Sequence, residues 1–151
     1  MSGELRQYRS KKVVGSWITP YGATDILHGR VLTGDFLTTA RDNPDWVREN
    51  DGHSNGTRTR NPNDGGMVTV ILSASSPTNS KLSRLQKQDR LTEDVVGALT
   101  LKDLNGDTVV VGLGCFLTMI PMPTFAIERG SRLWTWECTA LETFLGGHDL
   151  A

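Results

Sequence analysis

Two cysteines, three histidines and scattered serines and acids are the side chains here that could do covalent or metal chemistry. A nucleophilic thiol needs a depressed pKa in a place that water can reach. Cys115 sits instead in the apolar run "VVVGLGCFL", where burial raises the thiol pKa and makes it inert. Cys138 lies in the strand-like "WTWECTA" and reads as a small buried hydrophobe. The two lack CxxC spacing, provide no disulfide framework and point to a reducing compartment. His28, His53 and His148 fall among turn residues with no HxH or HExxH spacing, so no metal ligand set converges. "GLGCF" lacks the full glycine fingerprint and a following helix, so a dinucleotide site is unsupported. "NPNDGG" and "DLNGD" are turn chemistry rather than a twelve-residue calcium loop, and no GxSxG elbow is present. Trp134 and Trp136 could form a stacking platform if exposed. Cys138 and Ala140 continue the same apolar face, which favours core. No catalytic residue, metal or cofactor is expected.

Charge narrows the partners. The 151 residues carry 16 Lys and Arg against 17 Asp and Glu, a formal net charge of −1. Tight non-specific DNA binding needs clustered, unopposed cations, so contact with nucleic acid should be non-adhesive. The N-terminal "MSGELRQYRSKK" has no apolar core and does not read as a secretory signal. Its Arg6, Arg9, Lys11 and Lys12 suit either a solvated arm or an acidic partner surface. "TVVVGLGCFLTMIPMPTFAI" is long and uncharged enough to mimic a membrane span. Its β-branched start, glycines and prolines read as a buried strand followed by a loop, without membrane insertion.

The elements that would position any site are mostly strands. "KKVVGSWITPYG" reads as a strand ending at Pro20, and "RVLTGDFLTTARD" as a second with a bulge at Gly34. "MVTVILSAS" puts Val68, Val70 and Leu72 on one face. "SSPTNSKLSRLQKQDR" is the one convincing helix, with Ser76 as N-cap and Pro77 at its first position. Leu82 and Leu85 form its apolar stripe, while Lys81, Arg84 and Lys87 stay wet. Asn105-Gly106 predicts a type I′ turn between "ALTLKDL" and "DTVVVGLG". The closing strand "SRLWTWECTALETF" places Trp134, Trp136, Cys138 and Ala140 on one face, with Leu133, Thr135, Glu137 and Thr139 opposite. The expected fold is mainly β, an antiparallel sandwich or barrel-like domain with one flanking helix and a long polar hairpin. An arm over 1–11, one domain over 12–147 and a short tail over 148–151 complete the division.

That hairpin poses a physical problem. "WVRENDGHSNGTRTRN", residues 46–61, has two polar arms around "DGHSNG", with Gly52 and Gly56 able to take positive φ. Neither arm has much to bury, and an isolated two-stranded hairpin is marginal in water.

The order of elements resembles the tail-tube proteins of contractile-tailed bacteriophages. It is carried by "GDFLTTARDNPDW", "DGHSNGTRTRNPNDGGMVTVIL", "SPTNSKLSRLQKQDR", "LKDLNGDTVV" and "LWTWECTALETFLGG", spanning roughly Lys11 to Gly147. The resemblance implies a β-sandwich with a flanking helix, assembled as hexameric rings. Stacked rings would form a tube inside a contractile sheath, an architecture shared with type VI secretion tubes. Implied partners are further copies of the chain, the tail sheath protein, baseplate and tape-measure proteins, and double-stranded DNA passing without tight binding. The implied location is the virion tail, assembled in host cytoplasm. The hairpin then becomes an inter-subunit device, with Trp46, Arg48, Glu49, His53, Arg58 and Arg60 as its candidate contacts. Lys81, Arg84 and Lys87 are candidates for an outer helix face, and Asp35, Glu137 and Glu142 for the lumen wall. Three alternatives stand beside this: another tail component such as a terminator or baseplate adaptor, a β-sandwich ligand-binding module, and, least supported, a small hydrolase. "MIPMPTF" and the N-terminal arm receive no role.

Overall fold

The structure, a computed structural model, describes residues 8–31 and 34–147. Arg6, His148 and the 148–151 tail lie outside them. In chain order the elements are β1 (Val13–Thr19), β2 (Gly22–Asp25), β3 (Leu37–Arg41), β4 (Trp46–Asn50), β5 (Gly56–Arg60), β6 (Gly66–Ser73), α1 (Thr78–Thr92), β7 (Gly97–Asp103), β8 (Val109–Leu117) and β9 (Ser131–Phe144). Seven strands form one antiparallel sheet in the order β2-β1-β7-β8-β9-β6-β3, and β4 with β5 forms a separate two-stranded ribbon.

The alternation of apolar residues decides which sheet face is buried. Trp17, Leu99, Val68, Val70, Leu72, Trp134 and Trp136 all point to the inner face and are enclosed. The sheet is strongly curved. Strands β1 and β9 are three strand spacings apart, about 14 Å on a flat sheet. Yet the rings of Trp17 and Trp136 meet edge to face with centroids 5.8 Å apart. The Trp17 indole N–H also reaches the carbonyl of Cys115 on β8, at 3.3 Å. After β2 the chain crosses back toward β6, bringing buried Ile26 and Leu27 with it. Val31 N–H donates to Ile71 O at 3.2 Å and Ser73 N–H to Gly29 O at 2.8 Å. The arrangement is barrel-like but open, with β2 and β3 as edges.

Helix α1 covers the inner face through Leu82, which is fully buried, and Leu85, which packs half-buried against the core. The Trp134 indole N–H donates to Asn79 Oδ1 at 2.9 Å, tying the helix to β9. Ser76 lies one residue before the cap position, where its Oγ accepts from Thr78 N–H at 3.3 Å and donates to His28 O at 2.6 Å. Pro77 occupies the cap position itself, one residue ahead of the first helical residue.

Several local expectations are corrected. Cys115 and Cys138 are not separate thiols; they form a disulfide between directly opposed residues of β8 and β9, Cα atoms 4.2 Å apart. Twenty-three residues separate them in sequence, and only the register of the two strands brings them together. "GLGC" is a bulge: Gly114 takes φ +60 and the β7–β8 register shifts between Gly97 and Leu99. Gly112 and Cys115, three residues apart, therefore both point inward. Strand β9 skips in step, so Leu141 rather than Ala140 joins Cys138 in the core. Gly34 has φ +78, but it lies in the loop before β3 and is not a strand bulge. Asn105 and Gly106 do not take the positive φ of a type I′ turn. The connection from Asp103 to Val109 is longer, and buried Asn105 instead clamps the N-terminal arm. Its side chain accepts from Arg9 N–H and donates to Arg9 O, both at 2.9 Å.

Candidate assembly surfaces

The ribbon of β4 and β5 is an arm. Every residue of both strands is exposed, so its own domain offers it no apolar support. Its root is held by polar groups. The Arg41 guanidinium pairs with Asp45 and with Asp64, the latter at 3.0 Å. Asp42 N–H donates to Gly65 O at 3.1 Å, and Asn61 N–H to Asp45 O at 2.8 Å. The residues of this clamp lie in "ARDNPDW", whose start reads as a strand end, and in "NPND", which reads as a turn, and neither stretch alone marks a clamp.

The tip does not use its glycines as expected. Neither Gly52 nor Gly56 takes a positive φ; Ser54 does, at 65°. Asp51 replaces the need for them. Its Oδ1 accepts from His53 N–H at 2.8 Å and Asn55 N–H at 3.0 Å, closing the turn on a side chain. The backbone N–H of Asn55, then that of His53, hold the Asp51 carboxyl below its ordinary value. Trp46, Arg48, Glu49, His53, Arg58 and Arg60 all sit on this arm and are all exposed. Arg58 stacks on Trp46 with its guanidinium carbon 3.7 Å from the ring centroid.

Lys81, Arg84 and Lys87 form an exposed row on α1, away from Leu82. Glu137 and Glu142 both project from the solvent face of β9, but Asp35 does not join them. It lies in the loop before β3, beside Arg30 and Arg129 at a cavity of about 660 Å³. The solvent face of the sheet carries a row of hydroxyls among exposed apolar residues such as Met67 and Leu133. Thr38, Thr69 and Thr135 stand opposite one another across β3, β6 and β9, and Thr118 N–H continues the row to Thr135 O at 3.3 Å.

A second unsupported segment contains "MIPMPTF". Between β8 and β9, Met122, Phe125 and Ile127 are 87%, 89% and 106% exposed, on a stretch uncharged until Glu128. By contrast Trp17, Trp134 and Trp136 are all buried, so none can serve as a sugar- or base-stacking platform. Among the described residues no group of three His, Cys, Asp or Glu could hold a metal ion. No described helix is long and apolar enough to cross a membrane.

No protein-family model matches the chain, and no curated protein does. Solved structures do. The sheath/tube terminator of an extracellular contractile injection system, PVC, in its extended state, superposes with a TM-score of 0.63 at 13% identity, covering 93% of this chain and 99% of that one. The tube-terminating cap of the anti-feeding prophage gives 0.60 at 9% identity, over 100% and 96%. A chain of the PVC sheath-tube complex gives 0.60 at 11% identity, over 91% of each. At these identities the likeness establishes a shared fold from end to end.

Proposed function

We propose that this chain is a structural subunit of a contractile tail, and that it forms hexameric rings stacking into a tube that conducts DNA inside a sheath. The observation that carries this reading is the exposed arm of β4 and β5, built on a fold shared over 93% and 91% of the chain with terminator and sheath-tube chains. A ribbon with nothing of its own to pack on is stabilised by neighbouring subunits, through backbone pairing and side-chain contacts. An arm that meets a different surface of an identical body makes a head-to-tail interface, which closes rings. Trp46, Arg48, Glu49, His53, Arg58 and Arg60 are its contacts.

The solvent face of the sheet carries the Thr38, Thr69 and Thr135 hydroxyls and the acids Glu137 and Glu142, with Lys102 of β7 exposed on the same face, which supports a lumen wall that would hold phosphate only weakly. Asp35, in the loop before β3 and lining a separate cavity, is the weakest of the three lumen candidates. Lys81, Arg84 and Lys87 would face the sheath, and tube ends would meet baseplate and tape-measure proteins. The role is structural and not catalytic.

A second reading has its own support. The TM-score of 0.63 belongs to a terminator, which suits a single ring at the end of a tube as well as a repeating subunit. Negative-stain microscopy of the purified protein separates the readings. Stacked rings or tubes are expected for the subunit, and discrete rings that never stack for a terminator. A protein that remains monomeric at every concentration would overturn both.

A further inference from the structure

The arm's two faces differ sharply in charge. The register sets Trp46 opposite Arg60 and Arg48 opposite Arg58. Residues directly opposite in an antiparallel pair share a face. Trp46, Arg48, Arg58 and Arg60 therefore project from one side, and Val47, Glu49, Thr57 and Thr59 from the other. Arg48 and Arg58 meet as directly opposed like charges, which disfavours the ribbon standing alone. Nothing on the arm neutralises them. Glu49 is on the far face, Asp51 is engaged by the turn and Asp45 by Arg41. Among the described residues no carboxylate pairs with Arg48, Arg58 or Arg60.

We propose that this face is a docking surface for carboxylate side chains of a second copy of the chain, with Trp46 as its apolar centre. The inference rests on the arm being an inter-subunit element, and adds which face it uses and what chemistry it reads. Charge complementarity selects the occupant. Residues 46–61 carry Arg48, Arg58 and Arg60 against Glu49 and Asp51, a net charge of +1 in a chain of −1, which leaves −2 on the body. Away from the proposed lumen wall, exposed Glu93 and Glu128 make no ion pair among the described residues. Guanidinium suits the role: it is weakly hydrated, stacks on an aromatic ring and presents a planar fork to a carboxylate. Arg58 already lies over Trp46, which fixes part of that geometry before docking. Duplex DNA is the competing polyanion, but the chain's net charge of −1 does not steer phosphate toward it.

The test uses the full chain, the neutral pair Arg48→Gln/Arg58→Gln and the reversed pair Arg48→Glu/Arg58→Glu. Thermal unfolding of the monomers should be unchanged, because Arg48 and Arg58, like every residue of β4 and β5, are exposed. Sedimentation should show the neutral pair needing about tenfold or more protein to assemble, roughly the loss of one interfacial charge pair. The reversed pair, added to wild type, should shorten assemblies, since it keeps the receptor surface but offers no arm. If wild type assembles and both variants assemble equally well, the inference is wrong while the tube reading stands. It is equally wrong if the variants assemble normally and lose only affinity for a duplex oligonucleotide. If wild type forms no assembly at all, both fail.

Discussion

Leu82→Ala tests whether α1 is held on the sheet as the structure has it. Leu82 is fully enclosed, and Asn79, three residues earlier, is bonded to Trp134 on β9. Truncation removes three carbons from the helix–sheet contact and leaves a cavity between two elements that are each braced elsewhere. Large-to-small changes at leucine cost about 2–5 kcal/mol, and a site that cannot collapse lies above the low end, about 3–4 kcal/mol. Against a total of about 5–15 kcal/mol this is a severe loss. For a chain of this size it corresponds to a fall in Tm of roughly 6–16 °C. Leu85, only half-buried, should cost about 1–2 kcal/mol on substitution by alanine. Urea unfolding followed by tryptophan fluorescence is the assay, since Trp17, Trp134 and Trp136 are buried reporters. A loss below about 1 kcal/mol for Leu82→Ala, or equal losses at the two leucines, would refute helix docking through Leu82.

Three further outcomes are expected. Asn79→Ala strands the Trp134 indole N–H in a buried site and should cost about 1–3 kcal/mol in the same unfolding assay; no change would mean the bond is dispensable. Reducing the Cys115–Cys138 disulfide should cost on the order of 3 kcal/mol, because it closes a loop spanning 23 residues in the unfolded chain; unfolding midpoints with and without reductant check this. The depressed Asp51 carboxyl makes the arm's turn present above its unfolded value, about 3.9, and lost as pH falls through the lower folded value. The Asn55 amide resonance should therefore show its Asp51-linked shift only below about 4; an Asp51 side-chain carboxyl resonance titrating with a midpoint above about 4 would contradict the turn geometry.

Features set by near neighbours were legible in the sequence. Val68, Val70 and Leu72 announced a half-buried strand because side chains alternate every two residues. Leu82 announced the buried stripe of α1, and Trp134 and Trp136 the core face of β9. The polar ribbon was legible for the same reason, as a segment with too little to bury. What escaped depends on residues far apart in sequence. Cys115 and Cys138 meet only because β8 and β9 pair in one register, and spacing along the chain carries no trace of that. The tandem skips at Gly112–Cys115 and Cys138–Leu141 are likewise a property of two strands together, which is why Ala140 was misplaced and Leu141 overlooked. Asn105-Gly106 looked like a tight turn until Arg9 claimed the asparagine side chain. Arg48, Arg58 and Arg60 were visible as charges, but only the pairing of β4 with β5 gathers them on one face with Trp46. Periodicity and turn chemistry act over a few residues and are written locally, whereas register, curvature and the sorting of charge between faces arise when distant segments compete to pair.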